Sequence, residues 1–371
     1  MHRAWRWLRT MSTMRAVVPT EEFHAAKRPP PLTIGEVPRP TALQEGQLLL
    51  RVASTSVNRA DLAQRRGRYP PPPGASDILG LEAFGQVAES RADGFRVGDE
   101  VVALMPGGGY GEYAVVDAGT AFSLNDFAGH YYTFDTQQGS WTKCGPDRRV
   151  ACAGIAEAFL TAYQMLRFDA RLAAAQRGET VLIHAGAGGV GLAAVQLARD
   201  MGLRVLVTAG TDAKVRACMQ LGAERGWVYR DRPVDELVAW CGGADSVDIV
   251  LDCVGASYAA VHPQLLRRHG RWVVFGLLGG NRADIDLGQV LRKNLRISGT
   301  TLRSRELPYR TELVQQFAEY AVPKLVDGTL VPTVDAHGIF PLHDAEGAHA
   351  YVEQSSNIGK VVLLADFTTG K

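Results

Sequence analysis

The stretch VLIHAGAGGVGLAAVQLAR, residues 181–199, decides the fold. An apolar, strand-like run leads into glycines at positions 186, 188 and 191, and an alanine-rich helical pattern follows directly. Glycine permits a sharp turn, a close approach of backbone N–H groups to a pyrophosphate, and close packing of the following helix. A plain strand-to-helix turn can carry the same glycines, but the flanking strand and helix favour a dinucleotide site. The residues of the predicted cradle are Gly186, Ala187, Gly188, Gly189 and Val190, with Gly191 completing the motif.

Length and charge narrow the class of protein. A chain of 371 residues exceeds one ordinary domain, so we expect two. The net charge is +1 with both signs interspersed, which argues against a nucleic-acid partner, because phosphate backbones require a basic surface. The sequence has no uncharged apolar run of about 18 residues, the length that a membrane-spanning helix needs. We therefore expect a soluble protein with a small-molecule partner.

The five cysteines are scattered and include no CxxC pair, which favours a reducing compartment and assigns them no chemistry. The N-terminus MHRAWRWLRTMSTMRAVV carries four arginines before Val17 and no acid. This composition is compatible with a mitochondrial transit peptide, although Met11 or Met14 could be the true start. We expect a cytoplasmic protein, with a mitochondrial location as the alternative.

The alternation of elements predicts an α/β fold. Strand-like runs separated by Gly and Pro fill residues 14 to about 120, which indicates a small β-rich domain. From about residue 156 to 300, strands and helices alternate, which predicts βαβ units and a doubly wound parallel Rossmann sheet. The last segment holds one amphipathic helix, TELVQQFAEYAV, and a strand, GKVVLLAD, which we expect to fold back on the first domain.

Several segments carry a family resemblance: NRADLAQRRGRYPPPPGASDILGLEAFGQV, GGGYGEYAVV, IAEAFLTAY, GRWVVFGLLGG and NIGKVVL, together with the glycine motif. The chain resembles the medium-chain dehydrogenases/reductases, and within them the zinc-independent, zeta-crystallin-like NADPH quinone oxidoreductases, over nearly all of residues 14–366. The resemblance implies an extension at 1–13, a GroES-like β-rich catalytic domain at 14–155, a Rossmann domain at 156–305 and a C-terminal return at 306–371. It also implies a homodimer, because RWVVFGLLGG and LRISGTTLRSRE resemble strands that pair between family subunits.

The residues also argue against a metal. Zinc-dependent members place a cysteine in the region of Asn58–Leu62 and a histidine directly before the glutamate of a GHE tripeptide. This chain has Gly80-Leu81-Glu82 there, and neither a catalytic nor a structural zinc set is present. We expect Glu82 to be a structural acid. Without a Lewis acid, hydride delivery to an electron-poor acceptor such as a quinone or enone is favoured over alcohol oxidation.

The end of the second Rossmann strand, RVLVTAG, indicates whether the cofactor is NADH or NADPH. An NAD enzyme usually places an acid roughly 20 residues after the glycines, to hold the ribose 2′-hydroxyl. Here the strand ends in Thr208, Ala209 and Gly210, which leaves room for a 2′-phosphate, and Lys214 could pair with that phosphate. Asp212 is the counterargument, but TDAK suggests that it caps the next helix. We therefore predict NADPH.

The resemblance implies the rest of the site. It adds Tyr229 as a 2′-phosphate contact with Arg230 beside it, and it places Asn58 and Thr161 near the nicotinamide. The remaining implied cofactor contacts follow two strands and a C-terminal motif: Cys253, Val254, Phe275, Gly276, Leu277, Asn357 and Lys360. For proton or hydrogen-bond donation the candidate is Tyr69 in GRYPPPPG, because a phenol is protonated at neutral pH. The same Tyr69 could instead pack against the prolines.

The predicted function is NADPH-dependent reduction of quinones without zinc. An enone or alkenal reductase of the same family is the enzymatic alternative. A nucleotide-binding protein with little turnover, in an RNA-binding or structural role, is the alternative outside enzymes.

Residues 124–152 depart from the family. They are longer than the usual connection by roughly a dozen residues, and they are aromatic, polar and aperiodic. We expect a connection without secondary structure, and a functional lid, a disordered segment and a retained intron are all compatible with it.

Overall fold

The computed structural model describes residues 12–20, 29–172, 178–230 and 232–366. The strands are β1 (Thr13–Pro19), β2 (Leu32–Pro38), β3 (Gln47–Val57), β4 (Glu82–Ser90), β5 (Glu100–Leu104), β6 (Tyr113–Asp117), β7 (Ala121–Ser123), β8 (Tyr131–Asp135), β9 (Ser140–Cys144), β10 (Thr180–Ile183), β11 (Arg204–Ala209), β12 (Arg225–Val228), β13 (Val247–Asp252), β14 (Leu266–Val274), β15 (Arg296–Gly299), β16 (Val334–Pro341) and β17 (Lys360–Leu364). The α-helices are α1 (Arg59–Arg65), α2 (Arg148–Cys152), α3 (Ala156–Tyr163), α4 (Gly189–Asp200), α5 (Asp212–Gln220), α6 (Glu236–Cys241), α7 (Ala256–Ala259), α8 (His262–Leu265), α9 (Leu287–Lys293), α10 (Leu307–Val326) and α11 (Ala345–Glu353).

The chain divides into two compact units. The first contains residues up to Tyr132, Lys143–Glu157 and the segment from Arg303 onward, and the second contains Thr133–Thr142 and Ala158–Leu302. We call them the β-rich unit and the Rossmann unit.

The Rossmann unit is built on a six-stranded parallel sheet in the order β12-β11-β10-β13-β14-β15. Its central strands are mostly apolar and buried; all four residues of β10, for example, lie in the interior. Strands buried on both faces are typical of parallel sheets that helices cover on each side. The order is that of a dinucleotide-binding fold, in which ligands lie beyond the carboxyl ends of the strands. The predicted doubly wound sheet is confirmed.

The β-rich unit is built on a seven-stranded, mostly antiparallel sheet. Its strands follow the order β16-β17-β3-β4-β5-β7, and β6 pairs with β3. Alternating apolar residues of these strands form a core that includes Leu48, Leu50, Val52, Ala83 and Val101. The strand β17 pairs antiparallel with β3 in this sheet, so the last segment does fold back on the first domain, as predicted.

The N-terminal segment begins the fold at β1, which pairs antiparallel with β2 over its whole length. The predicted first strand, Met14 to Val18, therefore exists. Of the predicted N-terminal extension at residues 1–13, residues 1–11 lie outside the described residues, so the transit-peptide hypothesis stays a prediction. Among the helices that the structure describes, none is both long and apolar enough to cross a membrane.

The expectation that residues 124–152 lack secondary structure is wrong. They contain the two-stranded hairpin β8–β9 and the short helix α2. The strands YYTFD and SWTKC are rich in aromatic and β-branched residues, and a turn at 136–139 ends in Gly139 with φ of 70°. That combination is a hairpin signal. The predicted first domain, residues 14–155, included this whole segment, whereas the structure groups Thr133–Thr142 with the Rossmann unit.

Candidate active site

The glycine loop joins β10 to α4 in the Rossmann unit. A Cβ atom on Gly186 would lie 2.8 Å from Cβ of Val207, and one on Gly191 would lie 2.6 Å from the carbonyl oxygen of Gly186. Close packing therefore requires both glycines. A Cβ on Gly188, in contrast, would meet only Ala185 O at 3.5 Å, so this side of the loop is open. Gly188 is also the N-cap of α4 and offers no capping side chain, so the first N–H groups of the helix suit an anion. The loop fits a dinucleotide pyrophosphate.

The end of β11 forms the corner predicted for the 2′-phosphate. A Cβ on Gly210 would lie 3.1 Å from the Tyr229 hydroxyl and 3.5 Å from Nε of Arg230. The structure thus brings together a glycine, a phenol and a guanidinium, and Tyr229 is 42% exposed. Lys214 lies in the first turn of α5, and its backbone N–H donates to Oγ1 of Thr211 at 3.3 Å. These groups fit a 2′-phosphate better than a bare ribose hydroxyl, because two of them are cationic.

Two predicted residues lie elsewhere than expected. The N-cap of α5 is Thr211 and not Asp212, which is the first helical residue. Both side chains can cap a helix, but it is the Thr211 hydroxyl that accepts the N–H of the third helical residue. Thr208 is 1% exposed, and its Oγ1 lies 2.9 Å from Nδ1 of His184, so the side chain belongs to the core of the sheet.

The loops after β13 and β14 are hydrogen-bonded to each other. The N–H of Phe275 donates to the carbonyl oxygen of Asp252 at 2.8 Å, and the N–H of Leu278 donates to that of Cys253 at 3.0 Å. A Cβ on Gly276 would lie 2.9 Å from the same Cys253 oxygen, which explains a glycine there. The structure therefore brings together five of the predicted contacts at the carboxyl end of the sheet: Cys253, Val254, Phe275, Gly276 and Leu277.

A buried polar cluster occupies the β-rich unit where β3, β4 and β17 meet. Nζ of Lys360 donates to Oδ1 of Asn58 at 2.6 Å and to Oε1 of Glu82 at 3.0 Å. Nδ2 of Asn58 donates to the same Glu82 oxygen at 3.0 Å, and the Ser56 hydroxyl also donates to it. Asn58, Glu82 and Lys360 are 9, 1 and 7% exposed. We call these four residues the Lys360 cluster.

The hydrogen bonds of the Lys360 cluster fix the orientation of the Asn58 side chain. Both ends of the Asn58 amide are hydrogen-bonded, and its backbone N–H donates to Oδ2 of Asp61 at 2.8 Å. The carboxylate of Glu82 is saturated by donors, including the backbone N–H of Glu157 at 2.9 Å from Oε2. This arrangement is what a structural acid requires. The side-chain amide of Asn357 donates to the carbonyl oxygen of Gly359, the residue before Lys360, at 2.8 Å.

Burial changes the acidity of two carboxyl groups around this cluster. Burial, with a smaller contribution from the neighbouring Glu82 carboxylate, raises the pKa of Glu157 to about 8, so this acid is mostly protonated at neutral pH. Burial also raises the pKa of Asp61 to about 6, against the lowering effect of hydrogen bonds from the backbone N–H groups of Asn58 and Gly80.

Tyr69 lies against an arginine in the β-rich unit. The guanidinium carbon of Arg303 is 5.4 Å from the centre of the Tyr69 ring, and its Nη1 donates to the Tyr69 carbonyl oxygen at 3.3 Å. Its Nε donates to the carbonyl oxygen of Pro106 at 2.6 Å. Arg303 thus fixes the segment that carries the phenol. Thr161 is half-buried on α3, in the Rossmann unit.

Within the described ranges, no group of three or more His, Cys, Asp or Glu side chains has an arrangement that could hold a metal ion. At the Glu82 position the counter-charge comes from the Lys360 ammonium.

Sequence reasoning missed Ser56, Asp61, Glu157 and Arg303. The signal for Glu157 was present, because it is the single acid in the apolar run IAEAFLTAY. Arg303 gave no comparable signal, since it belongs to a polar segment, RSRE, whose charges look solvent-exposed.

Comparison with known proteins agrees with this architecture. Residues 44–126 match the alcohol dehydrogenase GroES-like domain, and residues 189–319 match the family described as zinc-binding dehydrogenase. A quinone oxidoreductase of Lama guanicoe is 31% identical over 86% of this chain and 89% of its own length. The solved quinone oxidoreductase of Thermus thermophilus, also determined with NADPH, is 30% identical, with a TM-score of 0.71 over 95% of this chain and all of the other.

A solved quinone oxidoreductase of Escherichia coli has a TM-score of 0.74 over 95% of this chain and all of the other, at 24% identity, and shows the same fold. The chain is therefore an oxidoreductase that belongs to the medium-chain dehydrogenase/reductase family, among its quinone oxidoreductases.

Proposed function

We propose that the protein reduces quinones by hydride transfer from NADPH, without zinc. The observation that carries the proposal is the corner at Gly210, Tyr229 and Arg230, next to a glycine loop that is open at Gly188. The similar quinone oxidoreductases from Lama guanicoe and Thermus thermophilus, the second of which was solved with NADPH, support it.

The Rossmann unit would bind the cofactor through groups with separate tasks. The N–H groups at the start of α4 would bind the pyrophosphate, because they carry partial positive charge and lack a capping side chain. Tyr229, Arg230 and Lys214 would bind the 2′-phosphate. When bound, NADPH supplies a hydride from its nicotinamide ring. Every other contribution of the protein is binding, orientation and exclusion of water.

The Lys360 cluster would orient the reactive groups. Lys360 and Glu82 hold both ends of the Asn58 amide, so this side chain is already fixed before a ligand arrives. Fixed hydrogen-bonding groups lower the entropy cost of positioning a reactant. Because Lys360 neutralises Glu82, the buried carboxylate has no need of a metal cation. This supports a mechanism without zinc.

Proton supply would involve Tyr69. A quinone that accepts a hydride becomes a hydroquinone anion, which needs one proton. The Tyr69 hydroxyl would donate a hydrogen bond or that proton to the developing oxyanion, and Arg303 would keep the phenol segment in place. Solvent can also supply the proton to a quinone, so we expect Tyr69→Phe to lower kcat without abolishing it.

We also propose that the protein is a homodimer through the edge of its Rossmann sheet. Among the described residues, β15 pairs only with β14, which leaves one edge of the sheet uncovered. The neighbouring helix α9 exposes Leu287 and Leu291 by 72% and 78%. An unpaired sheet edge beside exposed leucines is the surface that strand pairing with a second copy would cover.

The proposed function is tested by steady-state oxidation of NADPH and NADH with 9,10-phenanthrenequinone and 1,2-naphthoquinone as acceptors. We expect quinone-dependent turnover with a clear preference for NADPH, and the variant Arg230→Ala should lose that preference through a higher KM for NADPH. Oxidation that is equal with both nucleotides would overturn the 2′-phosphate assignment. Tight NADPH binding without turnover of any quinone, but with turnover of an enone, would favour the enone reductase; no turnover at all would favour a binding protein.

A further inference from the structure

The hairpin β8–β9 is bonded to helix α5 of the Rossmann unit. The indole Nε1 of Trp141 donates to the carbonyl oxygen of Ala217 at 3.0 Å, and its backbone N–H donates to Oε1 of Gln220 at 3.3 Å. Nε2 of Gln220 donates to the carbonyl oxygen of Gly139 at 2.6 Å. Three hydrogen bonds therefore connect the hairpin to the last turn of the helix.

The bond from the Trp141 indole to Ala217 acts as a C-terminal cap. The last four carbonyl groups of an α-helix have no partner within the helix, and Ala217 carries one of them, because α5 ends at Gln220. The indole of Trp141 satisfies this carbonyl. The Trp141 ring is itself held by Phe134, which is 2% exposed and whose ring centre lies 5.3 Å away in an edge-to-face arrangement. The hairpin thus offers a rigid donor rather than a mobile one.

Other residues of α5 pack against the glycine loop and against β12. Sγ of Cys218 lies 3.2 Å from where a Cβ on Gly186 would stand, so the helix contacts the first glycine of the loop. Val215 fills the space beside Gly226 of β12, and its own Cβ lies 3.0 Å from the position that a Cβ on Gly226 would take. Because both contacts are close, the loop and the strand hold this side of α5 against the sheet, and the hairpin holds the other side. At its start the same helix carries Lys214.

We propose that the hairpin β8–β9 is a positioning element for cofactor discrimination: Trp141 and Gln220 hold α5 at the depth at which Lys214 and the Gly210 corner receive a 2′-phosphate. Trp141 touches no reacting atom and acts only through the helix. The inference rests on the proposed function, because it requires the 2′-phosphate to bind at this corner.

The test compares binding of NADPH and NADH by titration calorimetry in the variants Trp141→Ala, Trp141→Phe and Gln220→Ala. Losing the Ala217 bond is expected to weaken NADPH binding about fivefold, the equivalent of one hydrogen bond, and to leave NADH binding within twofold. Trp141→Phe keeps an aromatic ring against Phe134 but removes the N–H, and it should show the same loss. The matched control is Gln138→Ala, an exposed residue of the hairpin turn, which should bind both nucleotides like the wild type.

The outcomes distinguish the proposed selectivity for NADPH from the proposed positioning role of the hairpin. A wild type that binds both nucleotides equally would overturn the proposed cofactor selectivity and this inference with it. A wild type that prefers NADPH, with variants that keep the same preference, would overturn this inference alone. If Trp141→Ala does not fold, Gln220→Ala decides, because Gln220 is exposed and its substitution leaves the core intact.

Discussion

The ammonium nitrogen of Lys360 lies 3.0 Å from Oε1 of Glu82, with both side chains buried and 278 residues apart in the chain. This pair joins the last strand of the β-rich unit to the strand that begins at Glu82. The same ammonium group donates to Asn58. One charged group therefore both connects two strands of the fold and positions a residue of the candidate site.

Removal of the Lys360 charge should destabilise the β-rich unit. Lys360→Met keeps most of the side-chain volume but leaves Glu82 buried without its counter-charge, which costs about 3 kcal/mol or more in free energy of unfolding. Denaturant titration checks this. Adding Glu82→Gln to the variant should recover part of the loss, and Lys143→Met, at an exposed lysine, is the control. An unchanged unfolding midpoint for Lys360→Met would contradict the assignment.

Glu157 should make stability depend on pH in the neutral range. Its pKa is about 8 in the folded protein and 4.5 as the ordinary value, so between these values the folded state holds more protons than the unfolded state. Stability from this group therefore falls as pH rises through the window, by at most about 1.4 kcal/mol per pH unit. In Glu157→Gln the free energy of unfolding should fall less between pH 6 and pH 8. The exposed Glu45→Gln should behave like the wild type; equal slopes in Glu157→Gln and wild type would refute the shift.

A buried pair of histidines in the Rossmann unit should make stability depend on pH in the opposite direction. Nε2 of His184 lies 2.9 Å from Nε2 of His262, and burial lowers the pKa of His184 to about 4 and that of His262 well below its ordinary value. Below about pH 6.5 the unfolded state takes up protons that the folded state refuses. Stability should thus fall as pH drops from 6.5 towards 4. In His262→Phe the slope should be smaller by up to about 1.4 kcal/mol per pH unit, as measured by denaturant titration; an undiminished slope would show that other groups cause it.

The glycine loop offers a matched pair of substitutions. Gly188→Ala places a Cβ on the open side, where the nearest atom is 3.5 Å away, whereas Gly191→Ala places one against the carbonyl oxygens of Ala185 and Gly186. The first should cost less than about 1 kcal/mol of stability yet weaken NADPH binding at least about tenfold. The second should lower stability as well. Calorimetry and thermal melting distinguish them, and tight NADPH binding by Gly188→Ala would place the pyrophosphate elsewhere.

A charge on α9 should separate a dimer. Leu291→Lys, at a residue that is 78% exposed, would be buried against a second copy and should shift the protein to monomer in sedimentation velocity. Val97→Lys is the control, since Val97 is 69% exposed in the β-rich unit. A wild type that sediments as a monomer at micromolar concentration would contradict the edge-to-edge dimer.

The sequence predicted the fold well where local patterns and packing agree. The β10–glycine–α4 unit could be recognised because apolar strand, glycines and helix each have a strong pattern, and the structure confirms them. The hairpin was missed because its strands are short and mostly half-exposed, so alternation is weak, although the aromatic residues and Gly139 carried the information.

The candidate site was predictable only in its local parts. Gly210 and Lys214 could be anticipated from one strand end, and Tyr229, Asn58 and Lys360 only from the family resemblance. No local pattern connects the residues of the Lys360 cluster to one another, because they come from β3, β4, β17 and the start of α1. The contact of Thr208 with His184 could not be predicted either, because it forms between the ends of two neighbouring strands while His184 also contacts His262 of α8.

We would first measure oxidation of NADPH by the purified protein with 9,10-phenanthrenequinone, after dialysis against a chelator and with the zinc content measured. We expect full quinone-dependent turnover at negligible zinc, with a lower rate on NADH. Activity that disappears with the metal and returns on adding zinc would show instead that the reaction requires zinc.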